Sequence, residues 1–160
     1  MNGTEGCLAC DLAAGRLPLP GGRIHETARW IVEHCVGPLG VGALLVKPAR
    51  HVTSVGELSD DETAELGPLL RAAARVVDEL CGPEQVYVGL WSHAGRRRVH
   101  IHFVVQPATT EAIESLGDYG PALQTKMFER AQLPPPDEVQ LFADRAREMF
   151  RESRPTRGTT

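Results

Sequence analysis

The chain has 160 residues, 42% of them hydrophobic and 24% charged, which is the composition of an ordinary soluble globular protein large enough to bury a core without disulfide staples. No apolar run approaches the roughly 20 residues of a membrane helix, and the start, MNGTEGCLACDLAAG, has neither the basic nor the apolar region of a secretion signal, so a cytoplasmic setting is expected. The net charge of -4 argues against a nucleic-acid surface, although Arg96, Arg97 and Arg98 form a local positive spot suited to a small phosphorylated ligand.

In chain order, Cys7 and Cys10 come first, with the C-x-x-C spacing of thiols or metal ligands. Two thiolates alone do not complete a tetrahedral site, which needs four ligands. Short apolar runs punctuated by Gly and Pro then predict strands near Ala28–Val36 and Gly42–Val46, joined by a turn at Gly37–Gly40. His25 and His34 lie on or beside the first of these strands and read as structural or surface residues, while Cys35 and Cys81 sit in apolar surroundings as core thiols.

A helix follows, opened by a Ser59/Glu62 capping box with Asp60 and Asp61 in the first turn. Leu66, Leu69, Leu70, Ala73, Val76, Val77 and Leu80 keep its 3.6-residue stripe, and Gly82-Pro83 ends it. Two strands are expected next, QVYVGLW and RVHIHFVV, separated by the polar SHAGRR. In the second, alternation places Val99, Ile101, Phe103 and Val105 on one face and Arg98, His100, His102 and Val104 on the other. Helices are predicted near Pro121–Ala131 and from Asp137 to about Arg151, followed by a disordered tail over residues 153–160. Strands, a helix, more strands and terminal helices make an α+β domain over residues 1–152, an antiparallel sheet with a long helix and the C-terminal helices packed on one side.

One histidine in a strand is more often packing than chemistry, but two on one face beside arginines improve the case. VHIHFVVQP resembles the histidine triad motif: histidine, apolar, histidine, apolar, histidine, two apolar residues and commonly proline. CLACDLAAGRLP and RIHETARWIVEHCVGPLGVGALLVKPARH are similar to the family's N-terminal and strand–turn–strand segments, with Pro38, Leu39, Gly42, Leu45, Pro48, Arg50 and His51 at the expected places. VTSVGELSDDETAEL and VYVGLWSHAG resemble the entry to its long helix and the strand before the motif. The resemblance spans about residues 7–107 and leaves 108–152 as a helical extension.

The resemblance implies a histidine-triad-like fold, a homodimer, and a nucleotide hydrolase or nucleotidyltransferase in which His102, the middle histidine, attacks an α-phosphate. Dinucleoside polyphosphates and nucleoside phosphoramidates are the implied substrate classes. A neutral imidazole is a good nucleophile toward phosphorus when a backbone carbonyl fixes its tautomer through the other nitrogen. Arg96, Arg97 and Arg98, with backbone N–H groups from Ser92 to Gly95, are the candidate phosphate contacts; a solvated hairpin is the alternative reading of the arginines.

The chain departs from the family pattern in several places. Val104 replaces the third histidine and cannot hydrogen-bond, Cys35 falls where the family has a ribose-contacting aspartate, the asparagine position lands on Trp91 or Ser92, and a glutamine position lands on Arg96. A nucleotide-binding or sensing module with little turnover, or a phosphorylase or transferase of a specialised pathway, are therefore the other readings. The resemblance also completes a structural zinc site by joining His51 and His100 to Cys7 and Cys10, with His93 as a substitute for either histidine.

Overall fold

The computed structural model describes residues 6–90, 93–94 and 97–152, excluding the side chains of 93–94 and 97–98. Helix α1 (Leu8–Ala13) leads into strands β1 (Arg23–Glu26), β2 (Trp30–His34) and β3 (Leu44–Pro48). After a 3-10 turn at Val55–Glu57 comes the long helix α2 (Asp60–Cys81), then β4 (Gln85–Leu90) and the short strands β5 (His93–Ala94) and β6 (Arg97–Arg98). Strand β7 (Phe103–Ala108) and helices α3 (Thr110–Leu116), α4 (Gly120–Arg130) and α5 (Pro136–Glu152) complete the described chain. No helix among the described residues is long and apolar enough to cross a membrane.

The main sheet has five antiparallel strands in the order β1-β2-β3-β7-β4, with β5 and β6 forming a separate hairpin. Alternation sends Trp30 and Val32 of β2, Leu44 and Val46 of β3, and Val105 of β7 into one core. Leu69, Ala73, Val76 and Val77 of α2 and Phe142, Ala143, Ala146 and Phe150 of α5 cover that face. On the other side a smaller buried cluster joins Cys35, Leu39, Ala43, Leu45 and Val104, with Met127 of α4 packed against it. Thus α2 and α5 share one side as expected, whereas α4 reaches round to the other.

Helix α2 begins where the capping box requires: Ser59 accepts from the Glu62 N–H while the Glu62 carboxylate accepts from the Ser59 N–H. It ends at Gly82, whose φ of 54° is the left-handed conformation of a glycine C-cap. Gly42 is held more tightly. Its φ is 92°, and a Cβ there would lie 2.3 Å from Cys81 Sγ. Strand β3 starts at Leu44, two residues later than the apolar run suggests.

The expected strand over 98–105 is corrected. Pairing with β4 begins at Phe103, and residues 99–102 have no regular structure. Their groups bond elsewhere: the Ile101 N–H donates to the Val52 carbonyl at 2.8 Å, drawing the segment along residues 48–52. The histidines therefore lie in an irregular segment just before the strand and not within it. Helices α1 and α3 and strand β1 were not expected from the sequence, each being only 4–7 residues long. The tail beyond residue 152 lies outside the described residues.

Candidate active site and metal centre

The end of β3 organises the site. Arg50 makes two 2.7 Å hydrogen bonds to the Glu62 carboxylate and another 2.7 Å bond to the Glu57 carbonyl, tying the chain beside His51 to the start of α2. These bonds hold the Glu62 carboxyl well below its ordinary value, at about 2. Two residues before Arg50, the Pro48 carbonyl lies 3.0 Å from His100 Nε2. A carbonyl only accepts, so Nε2 carries the proton and Nδ1 is left with a free lone pair.

That free nitrogen faces the N-terminal cysteines. His100 Nδ1 is 3.4 Å and His51 Nδ1 3.3 Å from Cys10 Sγ, and the two imidazoles meet edge to face at a centroid separation of 5.2 Å. The ligand atoms of Cys7, Cys10, His51 and His100 all lie within 4.8 Å of one another. In tetrahedral coordination, zinc bonds of ~2.3 Å to sulfur and ~2.0 Å to nitrogen put sulfur and nitrogen about 3.5 Å apart, so the donor set and its spacing fit zinc. Desolvation, with Pro48 pulling the other way and His51, Lys47 and His102 adding to the effect, lowers the His100 pKa to about 4. The ring is thus neutral at pH 7, the form a metal ligand requires. Burial first, then the Cys7 thiol, pushes Cys10 up to about 11 in the bare protein.

His102 is half-buried two residues further on, with Nδ1 3.2 Å from the His100 carbonyl. The same reasoning assigns the proton to Nδ1 and leaves Nε2 as the basic, nucleophilic atom. The ring of His100 thus points to the cysteines, and its backbone orients His102.

Val104 is buried in the smaller cluster beside Cys35 and Leu45, an apolar setting that offers no polar group at the third-histidine position. Cys35 is buried in the same cluster. Its sulfur accepts from the Gly37 N–H at 3.3 Å, and burial raises its pKa, so it is a neutral thiol at pH 7. Of the other candidates, Ser92, Gly95 and Arg96 lie outside the described residues, as do the side chains of His93, Arg97 and Arg98; Arg97 and Arg98 have their backbone in β6.

His34 proves structural: it is buried, bonding the Cys35 carbonyl through Nδ1 at 2.8 Å and accepting the Gly42 N–H on Nε2 at 2.9 Å. His25 stacks on Phe150 of α5, with centroids 4.7 Å apart. Two residues absent from the sequence reading adjoin the site, Glu33 and Lys47, which form a buried ion pair on the side of the sheet that faces α1. The available signal was a charged residue inside each of two otherwise apolar strands.

No family model matches the chain. The adenosine 5'-monophosphoramidase hnt1 of Schizosaccharomyces pombe is 29% identical over 105 residues, covering 63% of this chain and 74% of the relative. A hypothetical histidine triad nucleotide-binding protein from Sulfolobus tokodaii superposes with a TM-score of 0.67 at 19% identity, over 91% of this chain and 93% of that one. A zinc-bound histidine triad family protein from Mycobacterium smegmatis superposes with a TM-score of 0.65 at 18% identity, over 94% and 96% of the two chains.

Proposed function

We propose that the chain is a member of the histidine triad superfamily and a nucleotide hydrolase or nucleotidyltransferase acting on a phosphoramidate or phosphoanhydride through His102, a reading supported by the phosphoramidase relative and by the fold shared with histidine triad proteins. The observation that carries this reading is the hydrogen bond from His102 Nδ1 to the His100 carbonyl, which leaves Nε2 free for attack. Nε2 attacks the α-phosphorus, a P–N bond to His102 forms, and the P–N or P–O bond to the leaving group breaks as that group takes up a proton. Water or another acceptor then attacks the same phosphorus, giving up its proton as the bond to His102 breaks and the neutral ring is restored. Substrates of the class named in the Schizosaccharomyces relative, adenosine phosphoramidates, are the first to test.

In this reading Cys7, Cys10, His51 and His100 hold a structural zinc ion. Zinc bound there would pin α1 to the end of β3 and fix the His100 backbone from which His102 is oriented. Arg96, Arg97, Arg98, Ser92 and Gly95 are the proposed phosphate contacts, and Cys35 adjoins the proposed ribose position. A homodimer, with α2 and a sheet edge in the interface, and a cytoplasmic setting belong to the same proposal; outer strand β4 carries an exposed Val88.

One observation favours a second reading. Buried, apolar Val104 supplies no hydrogen bond where a third histidine would stand, which suits a module that binds nucleotide and turns it over slowly. The test is hydrolysis of an adenosine phosphoramidate and a panel of dinucleoside polyphosphates by the wild type and His102→Ala, with zinc quantified in both. Turnover lost on substitution with zinc retained supports the enzyme. Nucleotide binding without turnover by the zinc-loaded wild type supports the module.

A further inference from the structure

Lys47 and Glu33 form an ion pair in which the side chains are 0% and 1% exposed. Strand pairing sets Ile31 opposite Lys47 and Glu33 opposite Leu45, so the two charged residues are diagonal neighbours on one face of the sheet. A buried pair of this kind is a weak source of stability, because desolving both ions offsets most of their attraction and an apolar pair of similar volume often does as well. This pair is also incompletely satisfied: Glu33 Oε2 is buried and has no hydrogen-bond partner among the described residues. Its contribution lies in what the ammonium reaches. Lys47 Nζ donates to the Ala9 carbonyl at 3.0 Å, and Ala9 lies between Cys7 and Cys10.

Helix α1 needs such a tie. It has six residues, of which only Leu12 is buried, and Cys7 at its N-cap makes no side-chain capping bond. A helix this short does not hold itself in place and takes its position from tertiary contacts. We propose that Lys47, held by Glu33, is a positioning residue that docks the Cys7–Cys10 turn so that both thiols face His51 and His100. The inference rests on the metal reading given above. Four residues within the stretch 47–51 then serve the whole centre: Lys47 docks the cysteine turn, Pro48 fixes the His100 ring, Arg50 ties the chain to α2, and His51 is itself a donor.

The test compares the wild type, Glu33→Gln, and Lys47→Met combined with Glu33→Gln, which removes the ammonium without stranding a carboxylate. Each full-length protein is titrated with Co2+ and followed by thiolate-to-cobalt charge-transfer absorption; zinc affinity is measured by chelator competition, and folding by circular dichroism. The double variant is expected to stay folded and lose roughly 10- to 100-fold in zinc affinity, the range for groups that orient metal ligands. Glu33→Gln, which keeps the lysine and offers it an amide oxygen in place of the carboxylate, is expected to lose less affinity than the double variant. If the double variant fails to fold, Lys47→Gln with Glu33→Gln keeps a polar side chain and carries the same measurement. Equal affinities in the folded double variant and the wild type would overturn the positioning role and leave the metal centre standing. Absence of a thiolate–cobalt band in the wild type would overturn the metal centre and this inference together.

Discussion

The ring and the backbone carbonyl of His100 serve different neighbours, which is why two histidines two residues apart do not duplicate each other. Nδ1 of the ring faces Cys10, and the carbonyl accepts from His102. A comparable economy governs His34, whose Nδ1–H donates to Cys35 while Nε2 accepts from Gly42, bonds that only the neutral ring makes together. Burial lowers the His34 pKa, and also that of His100, so the unfolded chain binds protons more readily than the folded one. Stability is then fully present above the unfolded histidine value of ~6.5 and falls as pH drops below it. Urea midpoints measured from pH 7.5 down to 5.5 should decrease, and a His34→Gln variant should show a shallower decrease. Gly42 gives a second prediction at this scale. Alanine there would hold φ at 92° and press its Cβ against Cys81 Sγ, so Gly42→Ala should cost on the order of 2–4 kcal/mol in urea unfolding.

Among the elements, α2 was the most legible. Its capping box, apolar stripe and terminal glycine are independent signals, and the helix runs from Asp60 to Cys81 as they indicate. The carboxylate that closes the box also receives Arg50, so Glu62→Gln should lose about 1.5–3 kcal/mol at pH 7, the scale of a hydrogen bond to a charged group. With its folded pKa depressed from 4.5 to about 2, Glu62 contributes stability above pH 4.5 that disappears as pH falls toward 2. Chemical denaturation of wild type and variant across that range should therefore converge at the acid end. The strand around the histidines was less legible, because VHIHFVV alternates as a strand does while its first half takes its bonds from residues 48–52, a tertiary partner that periodicity does not register. Helix α1 was hidden for a related reason: six residues with one buried leucine carry too little pattern, and their position depends on Lys47. That Cys7, Cys10, His51 and His100 come together was expected from the family resemblance, whereas spacing alone supplied only the cysteine pair.

Across the whole molecule, the extension beyond the family motif is not peripheral to the fold. Helix α5 contributes Phe142, Ala143, Ala146 and Phe150 to the main core, and the Arg147 guanidinium bonds the carbonyls of Gly21 and Arg23. We propose that residues 108–152 fold as one unit with the rest. Phe150→Ala should then lose about 3–5 kcal/mol, and a chain ending at residue 135 should fail to give a cooperative unfolding transition by circular dichroism. The same unity connects the Cys/His cluster to the proposed chemistry, since Cys10, His100 and His102 are linked through bonds that begin in α1 and end at the proposed nucleophile. The most direct measurement is intact-mass and peptide mapping of the zinc-loaded protein quenched during turnover of an adenosine phosphoramidate. The account predicts a nucleotidyl adduct on His102, absent from His102→Ala at equal zinc content. Undiminished turnover by His102→Ala, or an adduct mapped to another residue, would contradict it.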